Sequence, residues 1–98
     1  MSIARADLPA EFPDARVLGR FGDDTRPMVA TCPSDGPGSV FVYTEFPGRR
    51  PRLVCVLSGL GTEEPSSTWW PCQELTGMAI RQWVEYEAYR LFVRTLGA

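Results

Sequence analysis

Two short apolar runs, SVFVYTE (39–45) and RLVCVLS (52–58), are joined by FPGRRP. β-branched and aromatic side chains suit a pleated, half-buried surface, and the Pro-Gly connector marks a turn between them. In the first run Val40 and Val42 share one face and Phe41 and Tyr43 the other. In the second, Leu53, Cys55 and Leu57 alternate with Val54 and Val56. A hairpin apolar on both faces belongs at the centre of a sheet, and both of its faces need cover.

Two further segments extend this pair on its amino-terminal side. ARVLGRF (15–21) alternates as a half-exposed strand, and PMVATC (27–32) is a second short strand with Pro27 at its beginning. The simplest arrangement is a four-stranded antiparallel meander. Residues 1–13, with Pro9 and Pro13, read as an irregular lead-in lying across the domain. At 98 residues the chain has room for a single domain with its own core.

After the hairpin, GLGTEEPSS (59–67) reads as a long connection. Its Gly-x-Gly lacks the third glycine and the following helix of a dinucleotide fingerprint. From Pro71 to Leu96 the spacing predicts one long helix, with Pro in the first turn, Glu74 near the positive end and Arg90 and Arg94 near the negative end. The fold class is therefore α+β, a sheet with a carboxy-terminal helix packed on one face. A competing reading shortens the helix and makes YRLFVRTL (89–96) a fifth strand, because Tyr89, Leu91 and Val93 alternate with Arg90 and Arg94.

That helix carries more apolar surface than one sheet can use. Ile80, Val84, Ala88 and Leu91 form one stripe, and Ala79, Trp83, Tyr86, Tyr89, Val93 and Leu96 form a second on another face. The second stripe needs another cover, either a segment of the chain or a partner.

Composition removes most standard chemistries. The chain has no His, so a Ser/His/Asp triad, a Cys/His dyad and a His-containing zinc site are not buildable from it. Cys32, Cys55 and Cys72 are odd in number and widely spaced, which fits neither a disulfide framework nor a CxxC metal knuckle, and no cofactor motif is present. A net charge of −2 gives no general attraction to nucleic acid. MSIARADLPAEF is polar and interrupted by charge, unlike a secretory signal, and no run has the length of a membrane span. The expectation is a cytoplasmic protein with free thiols and no membrane partner.

Three clusters remain as candidate sites. In SSTWWPCQEL, a helix beginning at Pro71 puts Cys72 in its first turn, where the dipole favours a thiolate; this is the candidate reactive thiol. WWPC resembles in part the Trp-Cys-x-Pro-Cys of thioredoxin-like oxidoreductases, without that motif's first cysteine. Trp69 and Trp70 divide between stapling the helix to the core and facing a partner. Arg49, Arg50 and Arg52 cluster at the hairpin tip, a candidate contact for an anion or an acidic partner. The pairs Asp23–Asp24 and Glu63–Glu64 lie in turns where no other group is placed to share chemistry with them.

The function these features predict is a small non-catalytic protein-binding module of the accessory, inhibitor or immunity type, self-associating or docking to a larger protein. Its interface draws on Phe41, Tyr43, Trp69, Trp70, Trp83, Tyr86, Tyr89 and Val93. The alternatives are a ligand-binding or thiol-dependent enzyme built on Cys72, and nucleic-acid binding through the Arg hairpin.

Overall fold

The computed structural model describes residues 15–34 and 36–96; the expected lead-in at 1–13 lies outside them. Five strands form one antiparallel sheet in the order of the sequence: β1 (Arg16–Phe21), β2 (Met28–Cys32), β3 (Val40–Thr44), β4 (Arg52–Ser58) and β5 (Ser66–Trp69). A short 3-10 turn (Gln73–Leu75) leads to a single helix, α1 (Met78–Leu96), so the α+β architecture is as expected. The central β3–β4 pair is the hairpin anticipated from its two apolar runs.

Turn chemistry sets the register at each end of this pair. Between β3 and β4 the Arg49 amide donates to the Phe46 carbonyl at 3.1 Å, with Gly48 at φ +76°. Pro47 and Gly48 thus occupy the two central positions that a type II turn requires. Between β1 and β2, Asp23 Oδ1 accepts from the Thr25 and Arg26 amides at 2.9 and 3.1 Å. These bonds hold its carboxyl below the usual range, the Thr25 hydroxyl contributing most.

Two bulges interrupt the ladders. Leu18 is the extra residue between Val17 and Gly19, and Val54 is the extra residue opposite Val42 and Tyr43. A bulge increases local twist and re-aims side chains, and here it lets both Val54 and Cys55 be fully buried.

One layer of core lies between the sheet and α1. From the sheet it takes Met28, Ala30, Val40, Val42, Cys55 and Leu57; from the helix it takes Val84, Ala88 and Phe92, spaced four apart on one side. Each Val, Leu, Met or Phe among them that is buried whole stabilises the fold by about 1.5–3 kcal/mol, and the two alanines contribute less. Leu91 drops onto β1 at Gly19, where a Cβ would lie 2.8 Å from its Cδ2. The glycine lets helix and strand approach.

Two expectations are corrected. The segment read as a connection at 59–67 ends in a fifth strand, Ser66–Trp69, at the sheet edge beside β4. Its exposed Ser66, Ser67 and Thr68 carry no apolar alternation, and its order comes from the ladder with β4. A fifth strand therefore exists, while 89–96 stay helical.

The helix also begins at Met78 and not at Pro71. Gly77 sits at φ +98°, a left-handed conformation that cannot continue a helix backwards, and its carbonyl accepts the first helical bond from the Arg81 amide at 3.2 Å. Residues 70–76 form a bridge between edge strand and helix.

Two substitutions test this account by chemical denaturation. A Cβ at Gly22 (φ +92°) would sit 1.9 Å from the Arg26 carbonyl oxygen, so Gly22→Ala is expected to cost about 2 kcal/mol or more. Phe92→Ala, which empties the carboxy-terminal end of the core, is expected to cost about 3 kcal/mol. A loss under about 1 kcal/mol in either variant would contradict the packing described.

Candidate functional site

The sequence placed its interest in the WWPC stretch, and the structure separates those residues. Trp69 ends β5 on the side of the sheet that meets the helix, paired with Cys55. Its indole Nε1 donates to Glu85 Oε2 at 2.7 Å, and the Arg81 guanidinium lies over its ring at 5.2 Å. Arg81 and Glu85 are one helical turn apart, so both reach the same indole. Arg81 Nε is buried with no hydrogen-bond partner, a cost offset in part by the ring beneath it.

Trp70 is the tryptophan left outside, 40 % exposed. Its amide donates to the Val54 carbonyl at 3.0 Å, carrying the β5 pairing one residue further, and strand alternation turns its ring away from the helix.

Cys72 is buried before the 3-10 turn, six residues ahead of α1, so no long helix dipole acts on it. The expected first-turn position is therefore corrected. Its Sγ donates to Glu74 Oε2 at 3.1 Å. Burial raises its thiol above the ordinary range, and the Glu74 carboxylate raises it further. Cys55 is pushed up to about 12 by burial, with Glu85 adding in the same direction. Cys32 is also raised by burial. All three sit as neutral thiols, the opposite of what a nucleophile needs.

The three arginines of the hairpin do not act as one patch. Arg49 folds back over the Phe46 ring at 5.5 Å, and Arg52 Nη2 donates to the Pro71 carbonyl at 2.9 Å. Arg50 stays exposed at the tip. The field of Arg49 and Arg52 also reaches Glu74, whose carboxyl is held low first by the Cys72 thiol.

Of the interface candidates on β3, Tyr43 is wholly buried and Phe41 is half-buried. Both lie on the face opposite α1, where Tyr43 pairs with Val29 and Phe41 with Thr31. That face and the helix are separate surfaces.

The helix candidates behave differently. Tyr86 is 61 % exposed and Leu96 68 %, with Tyr89 and Val93 nearly half exposed between them. Trp83 stands at the edge of this face, its ring edge-on to Phe21 with centroids 5.6 Å apart. Ala79, Gln82 and Leu96 complete the outer face of the helix; Ala79 and Leu96 belong to the second apolar stripe of the sequence but not to its expected interface residues.

Two open hollows flank the amino-terminal half of α1. One of about 590 Å³ is lined by Trp69, Thr76, Met78, Arg81, Gln82 and Glu85; Cys72 takes no part in it. The other, about 270 Å³, brings Asp23 and Arg26 of the first hairpin beside Ala79, Ile80 and Trp83. Among the described residues, no group of His, Cys, Asp and Glu converges to hold a metal ion, and no helix is long and apolar enough to cross a membrane. No family model, no curated protein and no solved structure matches the chain.

The thiols give a direct check. At pH 7 a disulfide reagent such as Ellman's is expected to leave Cys55 and Cys72 unlabelled in the native protein and to titrate them once denaturant is added; prompt labelling of Cys72 would restore it as a reactive group. A thiol raised on folding contributes stability that is present below its unfolded value of 9.0 and is lost as pH climbs toward the folded value of about 12 for Cys55. The melting temperature is therefore expected to fall as pH rises above 9, and Cys55→Ala is expected to flatten that slope.

Proposed function

We propose that the protein is a non-catalytic protein-binding module that engages its partner through the outer face of α1. The observation that carries this is the exposure of Tyr86, Tyr89, Val93 and Leu96 along one face of the helix, Tyr89 bordering the sheet at a hollow it shares with Leu57, Leu60 and Pro65. A helix covering one sheet face needs an apolar stripe on one side only, and that stripe is complete in Val84, Ala88 and Phe92.

The composition of the outer face suits a protein surface. Tyrosine gives large contact area at a low cost in side-chain entropy, and aromatic anchors ringed by polar groups are the usual centres of binding energy. Here Gln82, Arg90 and Arg94 surround the aromatic pair, all exposed. The raised thiols and the engaged hairpin arginines support a binding role over a catalytic one.

The test is positional. With a benzophenone amino acid replacing Tyr86 or Tyr89, irradiation in the native host is expected to yield discrete protein adducts. The same probe at Thr68, exposed on the edge strand, is expected to yield none. Val93→Glu with Leu96→Glu is expected to abolish the adducts while leaving the circular dichroism spectrum unchanged, since neither residue belongs to the core. Equal adducts from helix and edge strand, or none from the helix, would remove the proposal.

A further inference from the structure

We infer that the occupant of this face is a second copy of the chain, its α1 laid antiparallel across the first. This rests on the reading of the outer helix face as an interface and adds its partner and orientation. The argument begins with spacing. Ala79, Gln82, Tyr86, Tyr89, Val93 and Leu96 follow one another at intervals of three, four, three, four and three. That alternation is the 3.5-residue repeat of a straight helix–helix seam, and every member of it is exposed.

Read in opposite directions, the seam complements itself. With the two-fold axis between Tyr86 and Tyr89, each Tyr86 meets the other copy's Tyr89, Gln82 meets Val93, and the small Ala79 meets the large Leu96. Such a contact is isologous: the same patch serves both copies and the assembly closes at two.

Charge decides the direction. The first hairpin places Asp23 beside Ala79 and Trp83, at the amino-terminal end of the seam, with Asp24 next to it. Arg26 in the same loop is turned inward, its Nε donating to the Glu74 carbonyl at 3.2 Å. At the other end of α1, Arg90 and Arg94 are exposed on the same flank of the helix, Arg90 in a contact to Glu87 at 3.0 Å. Antiparallel pairing sets each acidic loop against the arginines of the other copy and opposes the two helix dipoles. Parallel pairing sets this flank of each copy against the opposite flank of the other, so the acidic loops and the arginines do not meet. Exposed ion pairs add little affinity, but charge complementarity favours the orientation that brings them together. Glu85, on the opposite flank, is drawn toward the sheet by the Trp69 indole.

Sedimentation equilibrium on the full chain tests the inference. The expected mass rises with concentration toward twice the 10.9 kDa of one chain, and Val93→Glu with Leu96→Glu returns it to one chain with an unchanged circular dichroism spectrum. Arg90→Glu with Arg94→Glu is expected to raise the dissociation constant about tenfold. Adding Asp23→Asn and Asp24→Arg to that variant is expected to restore most of the loss, the Asn keeping the turn's hydrogen bonds.

Orientation is read separately, in a Cys32→Ser background. Ala79→Cys chains mixed with Leu96→Cys chains are expected to oxidise to the mixed disulfide in preference to either matched one. Matched disulfides in its place would overturn the antiparallel arrangement. A single-chain mass at every concentration, with benzophenone adducts to another protein still present, would overturn the second copy and leave the interface standing. A single-chain mass with no adducts would remove both.

Discussion

A helix lying on a sheet has one side to give it, and the rest of this structure is arranged around that limit. Val84, Ala88 and Phe92 use the side that α1 turns to the strands, closing the core over Val42 and Cys55 at the sheet centre. Gly19 removes the one side chain on β1 that would hold the helix away, so Leu91 settles onto the strand. Once that contact is made, Tyr86, Tyr89, Val93 and Leu96 have nowhere to go but outward. Their exposure follows from geometry. Their being aromatic and aliphatic does not, because polar residues there would fold as well.

Trp69 fixes how the helix lies. The edge strand β5 is short and polar, and an edge strand held by one neighbour is the weakest part of a sheet. The indole gives it a second attachment: its N–H reaches Glu85 while its face takes the Arg81 guanidinium. Strand and helix are thereby joined across residues 70–76, and Arg52 closes the bridge from below through the Pro71 carbonyl. Cys72 and Glu74 sit inside this bridge, so their hydrogen bond has a structural use. The aromatic stretch is a joint in the fold. Only Trp70 stands outside it.

Much of this was legible in the sequence, and the omissions have physical reasons. The four strands with apolar alternation were readable because burial on a pleated surface leaves a period of two in the residues themselves. β5 was not, because Ser66, Ser67 and Thr68 bury nothing and owe their conformation to β4. Proline is common in a first turn, so the sequence points to a helix from Pro71, whereas the decisive residue is Gly77, whose left-handed φ ends the bridge. The second helix stripe was visible from spacing alone. What spacing did not show was that Trp69 would be drawn inward and Tyr43 buried on the far face, since both depend on contacts distant in the chain.

The two apolar stripes of α1 also differ in period, which separates folding from association. The inner one, Val84, Ala88 and Phe92, advances by four and drifts around the helix as it crosses the twisted sheet. The outer one alternates three and four and so runs nearly straight along the axis. A sheet asks for the first pattern because its strands pass beneath the helix at an angle. Another helix asks for the second, because a straight seam is what two rods share along their length. The position of Asp23 and Asp24 beside the start of that seam, and of Arg90 and Arg94 toward its end, then gives the rod a polarity that it lacks as a bare apolar stripe.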